Sequence, residues 1–534
     1  DIGGLIGEMG SGNVVNCTSQ GRINSTGMYT LQKVGGLIGY KESGKVINCV
    51  SEVDMDLWGN MYYVGGLIGN NEGSTVVSSH SMGYINIHPT NILFYIGGLI
   101  GRNYNEIEEC YSESDIDIDV ISIGQVNNMG GFVGPNNDSV SRAIWTGFHF
   151  VGGLIGLNYA SVSRSYWDGM IEYSGSYLDK AGGLIGRNEG SICFCYSDGS
   201  ICLLEGDMME IGGLVGYSKG IITNSHSTTT ISFSEANEGD FSVNEVGGLI
   251  GRQSNSVSDC FSKQDIVINT SHMKANNIGG LIGSLYGGTV TRCISNSNIT
   301  INKALDVNYI GGLIGDSRAL SAINNCQYCG MINVSISDGE VEKIGGLIGE
   351  NSGELTKSHS SGSIYINGTG NARKIGGLLG YNLQSVSDVF SKVSIYISLA
   401  PTDGVYMIGG LVGQQERVDL DSCYYDGEIR FDLIGNKEYN TINHVGGLAG
   451  QNYGGITNSY SRCDIFGKPV KSNNNIYKPQ YFGGLIGTNA GSIVCCYSMG
   501  ELSINGSEDA RDIGGLIGIN AGNVTDCYVR SSFF

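Results

Sequence analysis

Proline is nearly absent, with 5 residues in a chain of 534, and histidine is scarce at 7. A proline-rich linker or polyproline rod is therefore excluded. None of the histidines is followed by glutamate, so the His-Glu-x-x-His zinc motif does not occur. No apolar stretch reaches the roughly 18 residues that a membrane-spanning helix needs, and no basic segment leading into an apolar one opens the chain. Membrane insertion of this segment is not expected. Cations are also in short supply: 30 Lys plus Arg face 51 Asp plus Glu, for a net charge of −21. Such a chain repels nucleic acid and anionic lipid, so neither is an expected partner. The helical period of about 3.6 is missing throughout.

What the chain has in excess is glycine, 86 residues. With no Gly-X-Y period, and with 40% hydrophobic residues, this is the composition of a folded chain and not of collagen or a disordered tract. The glycines fall in a pattern. Gly-Gly-Leu-Ile-Gly or a close variant begins at Gly3, Gly35, Gly65, Gly97, Gly130, Gly152, Gly182, Gly212, Gly247, Gly279, Gly311, Gly345, Gly376, Gly409, Gly446, Gly483 and Gly514. Seventeen copies at a mean step of about 32 residues signal one repeated supersecondary unit, so residues 1–534 are expected to form a single solenoid.

A typical unit, residues 182–211, holds the glycine strand, a Gly-x-Asn-x-Gly turn, a Val-x-x-Cys-Tyr-Ser strand, a Gly-x-Ile-x-Ile segment and a polar loop of variable length. Asn and Gly in that turn are expected at positive φ. These are three short strands per coil, and a unit so small buries its apolar face only by stacking on its neighbours. The expected fold is all-β, a parallel β-helix of about 16 coils, roughly 75 to 80 Å long at about 4.8 Å per rung.

Stacking turns each repeat position into a column. One column reads Thr18, Val50, His80, Tyr111, Ile144, Tyr166, Tyr196, His226, Phe261, Ile294, His359, Phe390, Tyr424, Tyr460, Tyr497 and Tyr528, an aromatic ladder expected to be buried. The residue before it is Cys or Ser in most coils, and in-register neighbours about 4.8 Å apart sit too wide for most disulfides, so this Cys column is expected to be reduced. In the glycine strand both faces are apolar, Val or Ile with Ile on one and Leu on the other. Either a corner turns Leu and Ile both inward, or a partner packs outside. The chain opens on a complete repeat and closes midway through a coil, which predicts a segment of a longer array, truncated or continuing at both ends.

The recurring Gly-Gly-Leu-Ile-Gly with its trailing aromatic strand resembles the GLUG repeat, for example at Gly36-Leu37-Ile38-Gly39 and Gly248-Leu249-Ile250-Gly251. Similar repeats occur in secreted and surface-exposed bacterial proteins, including adhesins and the flanking regions of zinc peptidases that cleave immunoglobulin A. The resemblance implies a surface location and a solenoid stalk, and it brings no catalytic residue.

Motifs for chemistry are few. Gly216-Tyr217-Ser218-Lys219-Gly220 spells a nucleophile elbow, but Ser218 merely replaces the Asn of the repeat's own turn. Gly39 to Lys45 imitates a phosphate-binding loop, yet Val46 stands where Ser or Thr would ligate magnesium. Asp115, Asp117 and Asp119 alternate with Ile, which puts three carboxylates on one strand face, either a calcium ligand set or a solvated edge. No catalytic, metal or cofactor residue is assigned. The expected function is an extracellular structural rod, a cell-surface stalk or fibre subunit that self-associates end to end or laterally. The alternatives are an adhesin binding a cell-surface glycan or protein along one face and, behind it, a polysaccharide-cleaving enzyme.

Overall fold

A coil joins two short strands to one long one, as in Ile38–Lys41, Val46–Ile47 and Val50–Gly65, or to a broken run of shorter ones, as in Tyr196–Leu204 and Asp207–Gly212. The computed structural model describes all residues except 28, 120–149, 176, 205, 235–240, 270–272, 319–320, 434–438, 470–475, 505–509 and 534. Among the described residues every regular element is a strand. The architecture is a parallel β-solenoid with three sheets and about 32 residues per turn. The third strand outgrows its sequence assignment, because residues read as a polar loop continue the ladder: His80–Gly97 runs for 18 residues and Gln327–Gly345 for 19.

Contacts divide the chain into two compact units, residues 1–237 with 249–251 and residues 238–248 with 252–534. In the first, equivalent positions pair in parallel, Ile38 with Ile68, Val46 with Val76 and Val50 with His80. The coil opened by Gly97 pairs directly with the one opened by Gly152, and Tyr111 lies beside Tyr166. Gly130 and Ile144, read in the sequence as belonging to a repeat of their own, lie outside the described residues. The second unit keeps the same coil, with Ile348 against Leu379 and His359 against Phe390.

The double glycine makes a corner. Val34, Leu37 and Ile38 are all fully buried, so Leu and Ile both face inward and no outer partner is needed to cover either. The N–H groups of Leu37 and Ile38 converge on one carbonyl, that of Leu67, at 2.9 Å each, and Leu347 and Ile348 repeat this on Leu378 at 2.8 and 3.0 Å. Close approach dictates the glycines. A Cβ on Gly35 would lie 1.9 Å from the Ile38 carbonyl oxygen, and one on Gly36 2.1 Å from that of Gly66. Each buried Leu of the column contributes on the order of 1.5 to 3 kcal/mol.

The Gly-x-Asn-x-Gly turn works differently from its sequence reading. Its Asn residues do not take positive φ; left-handed backbone falls instead on the residue before the Cys/Ser column, as at Asn48 (φ 55°) and Phe194 (φ 55°), and two residues before the glycine pair, as at Glu210 and Lys343. The Asn side chains form a buried amide ladder. Asn71 Nδ2 donates to Asn103 Oδ1 at 2.7 Å, Asn103 to Asn158 at 2.9 Å and Asn158 to Asn188 at 2.7 Å. In the second unit Asn351 donates to Asn382 at 2.8 Å and Asn382 to Gln415 at 2.7 Å. The closing glycine again answers a steric demand, since a Cβ on Gly220 would meet the Gly190 oxygen at 1.5 Å.

Candidate interaction surface

The candidate nucleophile is part of this interior. Ser218 is fully buried and takes the Asn place in the amide ladder, accepting from Asn188 Nδ2 at 3.2 Å and donating to the Gly220 carbonyl at 3.3 Å. The phosphate-loop imitation dissolves into strands. Lys45 precedes Val46–Ile47, and its backbone N–H donates to Asn13 Oδ1 at 2.9 Å.

The Cys/Ser column also points inward, and its role explains why either residue type serves there. Ser79 Oγ accepts the N–H of Cys49 at 3.0 Å and Ser225 Oγ that of Cys195 at 3.1 Å, while Cys110 Sγ accepts that of Ser79 at 3.5 Å. Either acceptor satisfies a buried amide that the neighbouring left-handed residue turns out of the ladder. Cys110, Cys195 and Cys423 are not in disulfides, and burial pushes their thiols up to about 12.

The next residue outward is the aromatic column, and here the expectation of burial fails. In Tyr196–Leu204 the first ring is only half-buried while Ser197 behind it is fully buried. Ser197 Oγ donates to the Gly213 carbonyl at 2.7 Å, so the interior beside the glycine corner is filled by a hydroxyl and the ring stands outside. Exceptions prove the geometry: where the inner position holds Trp167, Tyr328 or Tyr425, these rings are fully buried against the corner glycines Gly153, Gly312 and Gly410.

On the outer face the rings stack almost parallel. In the first unit His80, Tyr111, Tyr166, Tyr196 and His226 follow one another at 4.4, 4.8, 4.8 and 5.2 Å between centroids. The second unit runs from His359 through Phe390, Tyr424, Tyr460 and Tyr497 to Tyr528 at 4.6 to 4.9 Å. Partial burial and the neighbouring Tyr111, Tyr196, Glu113 and Asp168 push the Tyr166 phenol up to about 12. Ring faces within a run are covered by the neighbouring rings, so the ladder offers a ligand its edges and hydroxyls.

Beside the ladder of the first unit lies an acidic sheet face. Asp115 accepts the Met170 N–H at 3.0 Å and Asp117 accepts the Tyr84 hydroxyl at 2.8 Å, while Asp119 is exposed. Asp115 and Asp117 serve separate partners, and among the described residues no group of three His, Cys, Asp or Glu is placed to hold a metal ion. Arg102 lies at the other corner, its guanidinium 4.4 Å from the Tyr104 centroid and donating to the Tyr63 hydroxyl at 2.7 Å. That corner also carries a cluster the sequence did not reveal: buried Lys180 bridges Asp179 at 2.5 Å and Glu210 at 2.8 Å. Positive φ at Glu210 is what turns its carboxylate toward Lys180, a signal invisible in composition.

No protein-family model matches the chain, and no curated protein or solved structure matches it. Among the described residues no helix is long and apolar enough to cross a membrane.

Proposed function

We propose that the chain is an extracellular structural element, a cell-surface stalk or a fibre subunit, that holds other parts at a distance. The observation that carries this reading is the use of the interior. Leu, Ile, Asn, Ser and Cys columns are each consumed in holding one coil on the next, as in Leu37 over Leu67 and Asn71 over Asn103. Such nearest-neighbour construction suits a spacer, because it lengthens by adding units without redesigning a core. The GLUG-like repeat adds to the surface placement, and the net charge of −21 favours solubility outside the cell. Treating intact source cells with a protease that cannot enter them tests it: loss of the chain's peptides is expected, and full protection would refute an outside location. The second reading, an adhesin, draws on the exposed ring edges of the Tyr166 and Tyr460 runs. Glycan-array binding abolished by substitution in those runs would favour it over the spacer.

A further inference from the structure

The Lys180 cluster sets an amine against a carboxyl group on the next rung. Lys180 and Glu210 each stand two residues before a glycine pair, and the register of Ala181 with Ile211 and Gly182 with Gly212 places them side by side on adjacent coils. Asp179, Lys180 and Glu210 are all more than nine-tenths buried, at 4%, 7% and 4% exposure. Lys180 Nζ meets Glu210 Oε2 at 2.8 Å and donates to Asp179 Oδ2 at 2.5 Å, while the Tyr177 hydroxyl donates to Asp179 Oδ1 at 3.4 Å. The rings of Phe150 and Tyr217 flank the amine, with centroids 5.2 and 5.6 Å away. Two other kinds of lysine site make the comparison. Lys343 and Lys374 pair with Glu350 and Glu342, but their side chains are 13% and 18% exposed. Lys41 is fully buried, and it donates to the Asn71 amide and the Ser74 carbonyl. Lys180 combines burial with two carboxylates in contact.

We propose that Lys180 and Glu210 condense to an isopeptide bond, a covalent staple between adjacent coils, with Asp179 as the proton carrier. A proton passes from Nζ to Asp179 Oδ2 across their hydrogen bond, and the freed lone pair attacks Glu210 Cδ. A C–N bond forms and one C–O bond breaks. The departing oxygen leaves as water with two of the ammonium protons, and the third stays on the amide nitrogen. Ammonium plus carboxylate become amide plus water, so no oxidant, reductant or co-reactant is consumed. Bulk water favours the reverse reaction, and the site opposes this in two ways. Burial restricts the entry of water, and holding the amine on the carboxyl group replaces concentration, since well-oriented groups reach effective molarities of about 10⁵ to 10⁸ M. Glu210 is the acceptor because a bond to Asp179 would close a small ring across one trans peptide, whereas Glu210 faces Lys180 from the neighbouring strand. This inference is independent of the structural role proposed above.

Mass spectrometry of the full chain, reduced and denatured, tests it. The intact mass is expected to fall short of the sequence mass by one water. Trypsin does not cut after an acylated lysine, so the digest is expected to contain residues 165–187 joined to residues 188–219. Fragmentation of that product should place the link between Lys180 and Glu210. The joined product is decisive, because a succinimide elsewhere in the chain would also lose one water. Asp179→Asn keeps the shape of the side chain and is expected to lose most of the joined product with native circular dichroism, and Glu210→Ala to lose all of it. Complete cleavage after Lys180 in the native chain, a link to Asp179 in place of Glu210, or undiminished joining in Asp179→Asn would overturn the assignment.

Discussion

Asn103 Nδ2 donates to Asn158 Oδ1 across 2.9 Å, although 55 residues separate them in the chain. The adjoining steps of this ladder span 32 and 30 residues. The amide ladder therefore holds its register through the longest step of the repeat, and what is fixed is the stacking position and not the length of chain between rungs.

Asn103→Leu removes a donor and an acceptor at once. Asn71 Nδ2 loses its acceptor in a fully buried column, at a cost of about 1 to 3 kcal/mol, while Asn158 Oδ1 is left with the Ala160 N–H at 3.4 Å. Hydrogen exchange is expected to rise in the coils holding Asn71, Asn103 and Asn158 and to stay native near Asn452. Uniform deprotection of the chain would contradict nearest-neighbour stacking.

Lys41 caps the same ladder, donating from Nζ to Asn71 Oδ1 at 2.8 Å and to the Ser74 carbonyl at 2.7 Å while fully buried. Burial lowers its pKa to about 8 from the ordinary 10.5. Below pH about 8 both folded and unfolded chains hold the proton, and the cost of burying the charge is present in full. Between about 8 and 10.5 only the unfolded chain still holds it, so stability gained from this residue rises with pH, by about 3 kcal/mol at most. Urea titrations of native chain and Lys41→Met, which copies Met9 on the preceding rung, should diverge over that window in favour of the native chain. A pH-independent difference would show that Lys41 is not titrating in place.

Gly153→Ala is expected to prevent its coil from forming. The added methyl would sit 2.3 Å from the Trp167 ring and 2.1 Å from the Gly183 carbonyl oxygen. Combining it with Trp167→Ser removes the ring but not the backbone oxygen, so the double variant should remain misfolded by circular dichroism. Recovery would show that the ring alone imposes the glycine.

Tyr196→Ala and Tyr328→Ala separate the outer from the inner aromatic positions. Tyr196 loses two stacked neighbours, at 4.8 and 5.2 Å, worth about 0.5 to 1.5 kcal/mol each. Tyr328 is fully buried, and its removal leaves a cavity costing about 3 to 5 kcal/mol, as for other large aromatics. Chemical denaturation with local hydrogen exchange should rank Tyr328 as the costlier site, and the reverse order would mean the outer ladder is more than a surface stack.

Thiol labelling under native conditions should reach Cys329 and Cys495, which are exposed, before any other. Cys110, Cys195 and Cys423 combine burial with pKa values pushed up to about 12 and should react only after unfolding. Mass spectrometry with a maleimide, with and without denaturant, reads this directly. Early modification of Cys195 would place that column outside.

The repeat, the parallel pairing and the equivalence of columns were legible because stacking leaves one residue type on each rung, as with Leu37, Leu67 and Leu99. Orientation was not equally legible. Tyr196 and Ser197 are neighbours in a strand, and hydropathy favours the ring inside; the structure buries Ser197, whose hydroxyl finds the Gly213 carbonyl at the glycine corner. The calcium reading of Asp115, Asp117 and Asp119 met the same limit, since alternation puts carboxylates on one face without making them converge.

The sequence by itself determined that the chain winds into identical coils: Gly35 and Gly36 recur where only hydrogen fits, and strand-forming residues recur between them. Tertiary structure alone decided which side of each strand is the interior. A left-handed residue such as Phe194 resets the alternation after Ile192–Cys193, and its φ depends on the hydrogen bonds that neighbouring rungs supply, among them Cys195 N–H to Ser225 Oγ. That bond exists only once the coils are stacked, so local sequence carries no record of it.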